Sequence, residues 1–213
     1  MIWEYGIVQP SARLVSEAVQ GVVDDYAGGR IREEPDFTSR MLQAIERELN
    51  GKTIKGIFWQ ALATTSHGPN TEEKATGADF MGVLNINLPD YRVCKGFLAQ
   101  AKRAGRLSGQ EMDRLRTQCE NMLNLTPESY VFLYKRDGVR VLPAISVLSA
   151  NVSDLTELYN RSIQRFFELH LESFIGDRRL SSPSADQFNA ILKEYRIRQG
   201  LYLAAKQGEV RLE

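Results

Sequence analysis

Three polar side chains at the ends of two apolar runs have the residue types needed for metal-assisted phosphate chemistry. Asp79 precedes one strand-like run, and the next run closes with Gln100, Ala101 and Lys102. Successive side chains of a strand alternate between faces, so Gln100 and Lys102 point one way and Ala101 the other. If the runs pair antiparallel through a turn at 88–90, Asp79 reaches the same edge. The spacing therefore predicts a polar cluster at one end of a hairpin.

These residue types suit hydrolysis of a phosphodiester. A hard cation such as Mg²⁺ or Mn²⁺ takes oxygen ligands, polarises a phosphoryl oxygen and activates a water. Asp79 would offer the metal a carboxylate and Gln100 an amide carbonyl, while Lys102 would steady the attacking hydroxide or the phosphate. The alternative is structural: Asp79 ends a turn after Gly77, and Gln100 and Lys102 form the polar end of a buried strand.

The Gly77–Asp79 and Gln100–Lys102 segments together resemble the PD-(D/E)xK nuclease superfamily, which has the restriction-endonuclease-like fold. The likeness is greatest to the Mrr-like branch, where glutamine is common in the final motif, and it covers roughly residues 35–148. Ala78 replaces the family's proline, and Gln100 replaces an acidic residue, which leaves one fewer anionic ligand. The resemblance implies an α/β protein with a central mixed β-sheet flanked by helices, and Asp79, Gln100 and Lys102 as catalytic residues.

The resemblance also implies a glutamate that faces the metal from a helix before the first strand. We choose Glu34, because it lies three and seven residues before Phe37 and Met41, on the core-facing stripe of the helix. Its alternative role is that of a first-turn acid that favours the helix dipole. The acidic residues that compete for the same role are Glu33, Asp36, Glu46, Glu48, Glu72 and Glu73. His67 is interpreted as a solvated loop histidine, because this chemistry needs no imidazole.

The charge of the chain is balanced overall but not locally. The 27 basic and 27 acidic residues give no global field that would attract nucleic acid. Residues 92–116, however, contain seven basic and two acidic residues. Such an excess suits neutralisation of backbone phosphates, although a solvated helix face would look similar. The residues predicted to contact nucleic acid, most simply double-stranded DNA, are Arg92, Lys95, Arg103 and Arg106.

The cysteines and the N-terminus indicate a protein of the reducing cytoplasm. Cys94 and Cys119 are far apart and belong to no metal-binding motif, so neither a zinc site nor a disulfide framework is expected. The start of the chain lacks a signal-peptide pattern, and no apolar run is long enough to cross a membrane. The expected localisation is cytoplasmic, with no membrane partner.

Hydrophobic periodicity predicts helices over 11–27, 35–49 and 108–123, with Ser108 as an N-cap. Strands are expected at 53–63, 79–88 and 91–100, followed by a hairpin through Asp137 and Gly138. Helix, three strands, helix and two strands is the order that the nuclease resemblance implies. Residues 1–150 are therefore interpreted as the nuclease core with an N-terminal helix. Residues 151–213 are interpreted as a C-terminal helical extension that packs on this core, with a long amphipathic segment over 152–174 and a further helix over about 185–206.

Three functions from different classes follow from these observations. The first is a Mg²⁺-dependent DNA endonuclease, for which the resemblance implies a role in restriction or antiphage defence. The second is a nuclease-fold subunit, weak or inactive through Gln100, that binds DNA or assembles with a partner. The third is an interaction protein in which the Asp79 region is only architectural. The expected protein partner is a second copy of the chain or a subunit of a defence complex.

Overall fold

The alternating apolar runs form one mixed β-sheet, which helices cover on both faces. The computed structural model describes residues 2–65 and 76–208. The helices among these residues are α1 (Val8–Ala27), α2 (Glu34–Leu49), α3 (Gly109–Leu125), α4 (Ala144–Ser149), α5 (Ile163–Leu171) and α6 (Ala185–Glu194). The strands are β1 (Thr53–Ile54), β2 (Ile57–Thr65), β3 (Phe80–Leu88), β4 (Tyr91–Arg103), β5 (Ser129–Lys135), β6 (Gly138–Pro143), β7 (Arg161–Ser162) and β8 (Gln199–Gln207).

The strands lie in the order β1-β2-β8-β3-β4-β5-β6-β7. β3 and β4 form an antiparallel hairpin in which Phe80 lies opposite Ala99. β5 runs parallel to β4, and β8 runs parallel to β3 and antiparallel to β2. The start of β3 and the end of β4 therefore lie at the same end of the sheet, and Thr65 at the end of β2 lies there as well.

Two apolar cores fill the space between the sheet and its helices. One core joins α1, α2 and α5 to side chains such as Phe97, Ala99 and Ala101 of β4. The other joins α3, α4 and α6 to side chains such as Leu98. Neighbouring residues of β4 thus face opposite layers, as the alternation of a strand requires. Gln100 and Lys102 share the parity of Leu98 and lie on the side of α3.

The chain order of the elements from α2 to β6 confirms the prediction of helix, strands, helix and hairpin. Ser108 caps α3 as predicted, since its hydroxyl accepts from Glu111 N and the Glu111 carboxylate accepts from Ser108 N. This reciprocal capping box fixes where α3 begins after β4. Across the described residues, no helix is long and apolar enough to span a membrane.

The interpretation of residues 151–213 as a helical extension is wrong. Helix α6 ends at Glu194, and the last described segment is the strand β8, which lies between β2 and β3 inside the sheet. Residues 1–150 therefore lack one inner strand of the sheet and are not a complete domain. Of the helix predicted over 185–206, only the part that forms α6 is helical. The remainder includes β8, whose strand conformation is specified by partner strands that lie far away in the sequence.

Candidate active site

Asp79 and Gln100 are neighbours across the β3–β4 hairpin. The register that places Phe80 opposite Ala99 continues for one residue, since Asp79 N donates to Ala99 O at 2.8 Å. Cross-strand neighbours of this kind have Cβ atoms about 5 Å apart. Gln100 Nε2 donates to the Asp79 carboxylate, and Ala101 N donates to Asp79 Oδ2 at 3.0 Å. The predicted convergence of Asp79 with Gln100 is therefore present.

Gly77 determines the path of the chain into Asp79. Its φ of +72° lies in the left-handed region that favours glycine. A Cβ atom at this position would lie 2.3 Å from the carbonyl oxygen of Gln118 in α3. Residue 77 therefore has to be glycine, because the turn passes against the backbone of α3 before it delivers Asp79 to the sheet.

Glu34 and Lys102 form a second pair at the same end of the sheet. Lys102 Nζ lies 3.2 Å from Glu34 Oε2, and Arg103 N donates to Glu34 Oε1 at 3.1 Å. The side chain of Lys102 is 16% exposed and that of Glu34 is 33% exposed, so the pair is partly shielded from water. Glu34 is thus the acid of the 33–48 region that contacts the end of β4, although it also occupies the first turn of α2.

Strand β4 links the two pairs. Gln100 and Lys102 are two residues apart on one face, a separation of about 7 Å along a strand. Asp79, Gln100, Lys102 and Glu34 thus lie together where β3 begins, β4 ends and α2 begins. His67, Glu72 and Glu73 lie outside the described residues.

The Gln100 amide has one unsatisfied atom. Gln100 is 2% exposed, and its Nε2 also lies 3.2 Å from Ala101 O. Its Oε1 is buried and has no hydrogen-bond partner within residues 2–65 and 76–208. A buried carbonyl oxygen without a partner is unfavourable and calls for an explanation, such as an ion. The same described residues contain no group of three His, Cys, Asp or Glu side chains suited to a metal, so a cation here would depend on Gln100 as well as on carboxylates.

The four residues predicted to contact nucleic acid do not lie together. Arg103 and Arg106 are exposed and follow Lys102 by one and four residues, at the end of β4 and just beyond it. Arg92 is also exposed but lies at the far end of β4, about 33 Å from Lys102 at the rise of a strand. Only Arg103 and Arg106 of this group can therefore contact a phosphate close to Lys102.

The prediction that Lys95 contacts nucleic acid is wrong. Lys95 is 2% exposed, and its Nζ donates to Ile175 O at 2.6 Å inside the protein. Burial lowers the pKa of Lys95 to about 8, against the opposing effect of Glu128. Lys95 has the parity of Phe97 and Ala99, so strand alternation alone would have placed it on a core face. A count of basic residues does not contain that information.

Two tyrosines beside the site were not singled out from the sequence. Tyr134 lies opposite Arg103 across the β4–β5 ladder and stacks on Phe37 of α2, with ring centroids 4.3 Å apart. Tyr26 packs edge-on against Tyr134, and the Arg103 guanidinium lies over the Tyr26 ring. Aromatic residues at helical or strand spacing are usually core residues, so the sequence offered no signal for their position next to the site.

Comparison with known proteins gives no significant match to this chain, whether among protein-family models, curated proteins or solved structures.

Proposed function

We propose that the protein is a metal-dependent endonuclease that hydrolyses phosphodiester bonds of DNA. The observation that carries the proposal is the convergence of Glu34, Asp79, Gln100 and Lys102 from three elements at one end of the sheet. The order of elements from α2 to β6 supports a restriction-endonuclease-like core, because it is the order that this fold implies. Sequence spacing alone required neither Glu34 nor Asp79 to lie at this end.

The residues of the site fit a hard cation. Asp79 offers a carboxylate, and Gln100 offers a buried carbonyl oxygen that has no hydrogen-bond partner within the described part of the chain. Oxygen donors of this kind are those that Mg²⁺ and Mn²⁺ prefer. Exchange of the amide nitrogen and oxygen would turn Oε1 toward the Asp79 carboxylate, where a cation between the two oxygens would replace the hydrogen bond that Nε2 donates. When bound, such an ion would polarise the phosphoryl group and activate a water for attack.

Lys102 would act on the phosphate, and Glu34 would position Lys102. The Lys102 ammonium can stabilise the negative charge that develops on the phosphoryl oxygens, because the partly buried position strengthens its field. Glu34 fixes the direction of that ammonium through its contact with Nζ, and the bond from Arg103 N fixes Glu34 in turn. Arg103 and Arg106 would neutralise neighbouring phosphates of the backbone.

A second candidate function is a nuclease-fold subunit that binds DNA without cutting it. It is favoured by the replacement of an acidic ligand with Gln100 and by the contacts of Asp79 and Glu34 with protein donors. This alternative keeps the phosphate contacts of Arg103 and Arg106 but predicts no metal-dependent cleavage.

Cleavage of supercoiled plasmid with Mg²⁺ or Mn²⁺ separates the two functions. Lys102→Ala is expected to reduce the cleavage rate by about 10²–10³, the usual effect of losing one transition-state contact. Asp79→Ala is expected to abolish cleavage by removing the metal's main anionic ligand. Both variants should retain most of the DNA affinity, since Arg103 and Arg106 remain.

Lys206→Ala is the matched control, because Lys206 is an exposed strand lysine that lies beside Asn87, about 23 Å along β3 from Phe80. It should cut as the wild type does. Equal cleavage by wild type, Lys102→Ala and Asp79→Ala would refute the proposal, as would no cleavage with either metal. A thermal melt of each variant identifies any loss that is due to unfolding.

A further inference from the structure

A second group of exposed cations lies at the end of the sheet that carries the candidate active site, in the turn from α6 into β8. Residues 193–198 contain three basic side chains, Lys193, Arg196 and Arg198, against the single acid Glu194, and all four are exposed. Neither arginine side chain has a hydrogen-bond or ion-pair partner among the residues that the structure describes. Both guanidinium charges are therefore available to a ligand.

Strand register places Arg198 next to the residues proposed to cut. β8 runs parallel to β3 with Gln199 opposite Phe80, so Arg198 and Asp79 directly precede neighbouring strands at the same end of the sheet. On its other side, Asp79 accepts a hydrogen bond from Gln100 of β4. Asp79 thus lies between the start of β8 and the end of β4.

The turn that carries the two arginines has a fixed backbone. Arg196 N donates to Lys193 O at 3.1 Å, and Ile197 N donates to Leu192 O at 2.8 Å. These two bonds form a Schellman motif, which ends a helix through one left-handed residue. Ile197 is fully buried with Leu192 in the core that α6 covers. The backbone that presents Arg198 is therefore ordered before any ligand binds.

Arg196 occupies a backbone position that favours glycine. Its φ is +55°, in the left-handed region, and it is the residue of the motif at which glycine is most common. Because an arginine is less favourable here than glycine, its side chain calls for a role. Two roles suit a cation at this place: contact with the negative end of the α6 dipole, or contact with a bound anion. Arg198 lies beyond the last turn of α6, so the dipole does not account for it.

The cations of this turn and those after β4 lie on opposite sides of Asp79. Arg103 and Arg106 are exposed at the end of β4 and just beyond it. Neighbouring strands are about 5 Å apart, so β8 and β4 are separated by about 10 Å. This distance corresponds to roughly three base steps of a DNA strand. A DNA backbone that crosses this end of the sheet would therefore have one phosphate near Asp79 and other phosphates near cations on each side.

We propose that the turn between α6 and β8 is a DNA-backbone contact in which Arg196 and Arg198 bind phosphates. These phosphates lie across the scissile bond from those that Arg103 and Arg106 bind. The inference rests on the proposed nuclease function and extends its DNA-binding surface to the C-terminal part of the chain. Because the contacts are to phosphate, they add affinity without sequence preference.

Fluorescence anisotropy of labelled duplex oligonucleotides in EDTA tests the contact in the absence of cleavage. Arg198→Ala is expected to weaken binding roughly tenfold at about 0.1 M salt, and to lower the slope of log affinity against log salt by about 1. Two duplexes of different sequence should show the same loss. Lys206→Ala is the matched control, because Lys206 is exposed on the same strand, about 26 Å further along. It should bind as the wild type does.

Arg196→Gly separates a phosphate contact from a structural role. Glycine suits a φ of +55°, so this variant is expected to melt no lower than the wild type and yet to bind DNA more weakly. A lower melting temperature with unchanged affinity would assign Arg196 to the helix dipole and overturn its contact with phosphate.

Wild-type affinity in Arg198→Ala would overturn the inference, and so would equal losses in Arg198→Ala and Lys206→Ala. The two proposals fail differently. A protein that binds DNA through these arginines but does not cut it with metal contradicts only the nuclease function. A protein that cuts DNA while Arg198→Ala binds as the wild type does contradicts only this inference.

Discussion

Gln100 is the residue at which the site departs furthest from the sequence pattern it resembles. Its amide nitrogen donates to Asp79, a contact that a glutamate could make only if one of the two acids were protonated. The amide therefore stabilises the metal-free protein, because it replaces repulsion between two carboxylates with a hydrogen bond. The same amide offers a bound cation one negative charge fewer than a glutamate at this position would.

Gln100→Glu should reverse this balance. In EDTA the variant should unfold at a lower temperature than the wild type, since two carboxylates then lie side by side. With Mn²⁺ or Mg²⁺ its affinity for the metal, measured by calorimetry, should rise about tenfold, because an added anionic ligand tightens binding of hard cations. Gln100→Met is the control, since it keeps the volume and lacks oxygen. Unchanged metal affinity in Gln100→Glu would show that residue 100 is not a ligand.

The sequence predicted the members of the site better than it predicted their surroundings. Strand alternation places Gln100 and Lys102 on one face, and antiparallel pairing of the two apolar runs would bring Asp79 to the same edge. Glu34 is the acid on the core-facing stripe of its helix that we choose for the glutamate implied by the resemblance. The backbone donors Ala101 N and Arg103 N could not be foreseen, because every non-proline residue has such a group and only the fold decides which ones meet a carboxylate.

At the scale of elements, α5 carries a buried histidine that no sequence pattern indicated. His170 packs edge-on against Phe97 and alongside Phe166, and its Nδ1 lies 3.3 Å from Ile175 O. Burial lowers the pKa of His170 to about 3, and the nearby Lys95 ammonium contributes to the shift. The ring is therefore neutral in the folded protein at any pH near neutrality.

This histidine should make folding stability depend on acidic pH. The unfolded chain takes up a proton near the ordinary pKa of 6.5, whereas the folded protein does not do so until about pH 3. Stability therefore falls as the pH falls through this window, by about 2 kcal/mol between pH 7 and pH 5. Urea unfolding at the two pH values measures the loss. His170→Phe should lose less stability over the same interval, and an equal loss in both proteins would contradict the assignment.

Local helix propensity explains why the segment that forms β8 was interpreted as helix. Ala204, Ala205 and Lys206 are good helix formers and follow α6 closely, so local propensity favoured one long helix. The structure instead gives β8 a strand partner on both sides, and Gly200 leaves room for Phe188 and Leu192 of α6. Tertiary pairing overrides local propensity here, and no window of the sequence contains the partner strands.

At the scale of the whole molecule, β8, the last described segment, pairs with two strands from the first half of the chain. Its side chains alternate between the core layers, with Leu201 and Leu203 on the side of α1 and Tyr202 on the side of α6. It also separates β2 from β3, which are consecutive in the sequence but do not pair. The sequence predicted the order of the elements from α2 to β6 but not β8, since strand order in a sheet depends on contacts between distant segments.

Removal of β8 should therefore unfold the molecule and not merely shorten it. A chain ending at Ile197 would leave the edges of β2 and β3 unpaired and expose apolar side chains of both cores, so we expect no cooperative thermal transition and pronounced aggregation. In the full-length chain, Leu203→Pro should act in the same direction because proline removes a ladder hydrogen bond, whereas Leu203→Val should cause only a small loss. Circular-dichroism melts and sedimentation measure these outcomes. A cooperative melt of the truncated chain near the wild-type temperature would instead support an independent core in residues 1–150.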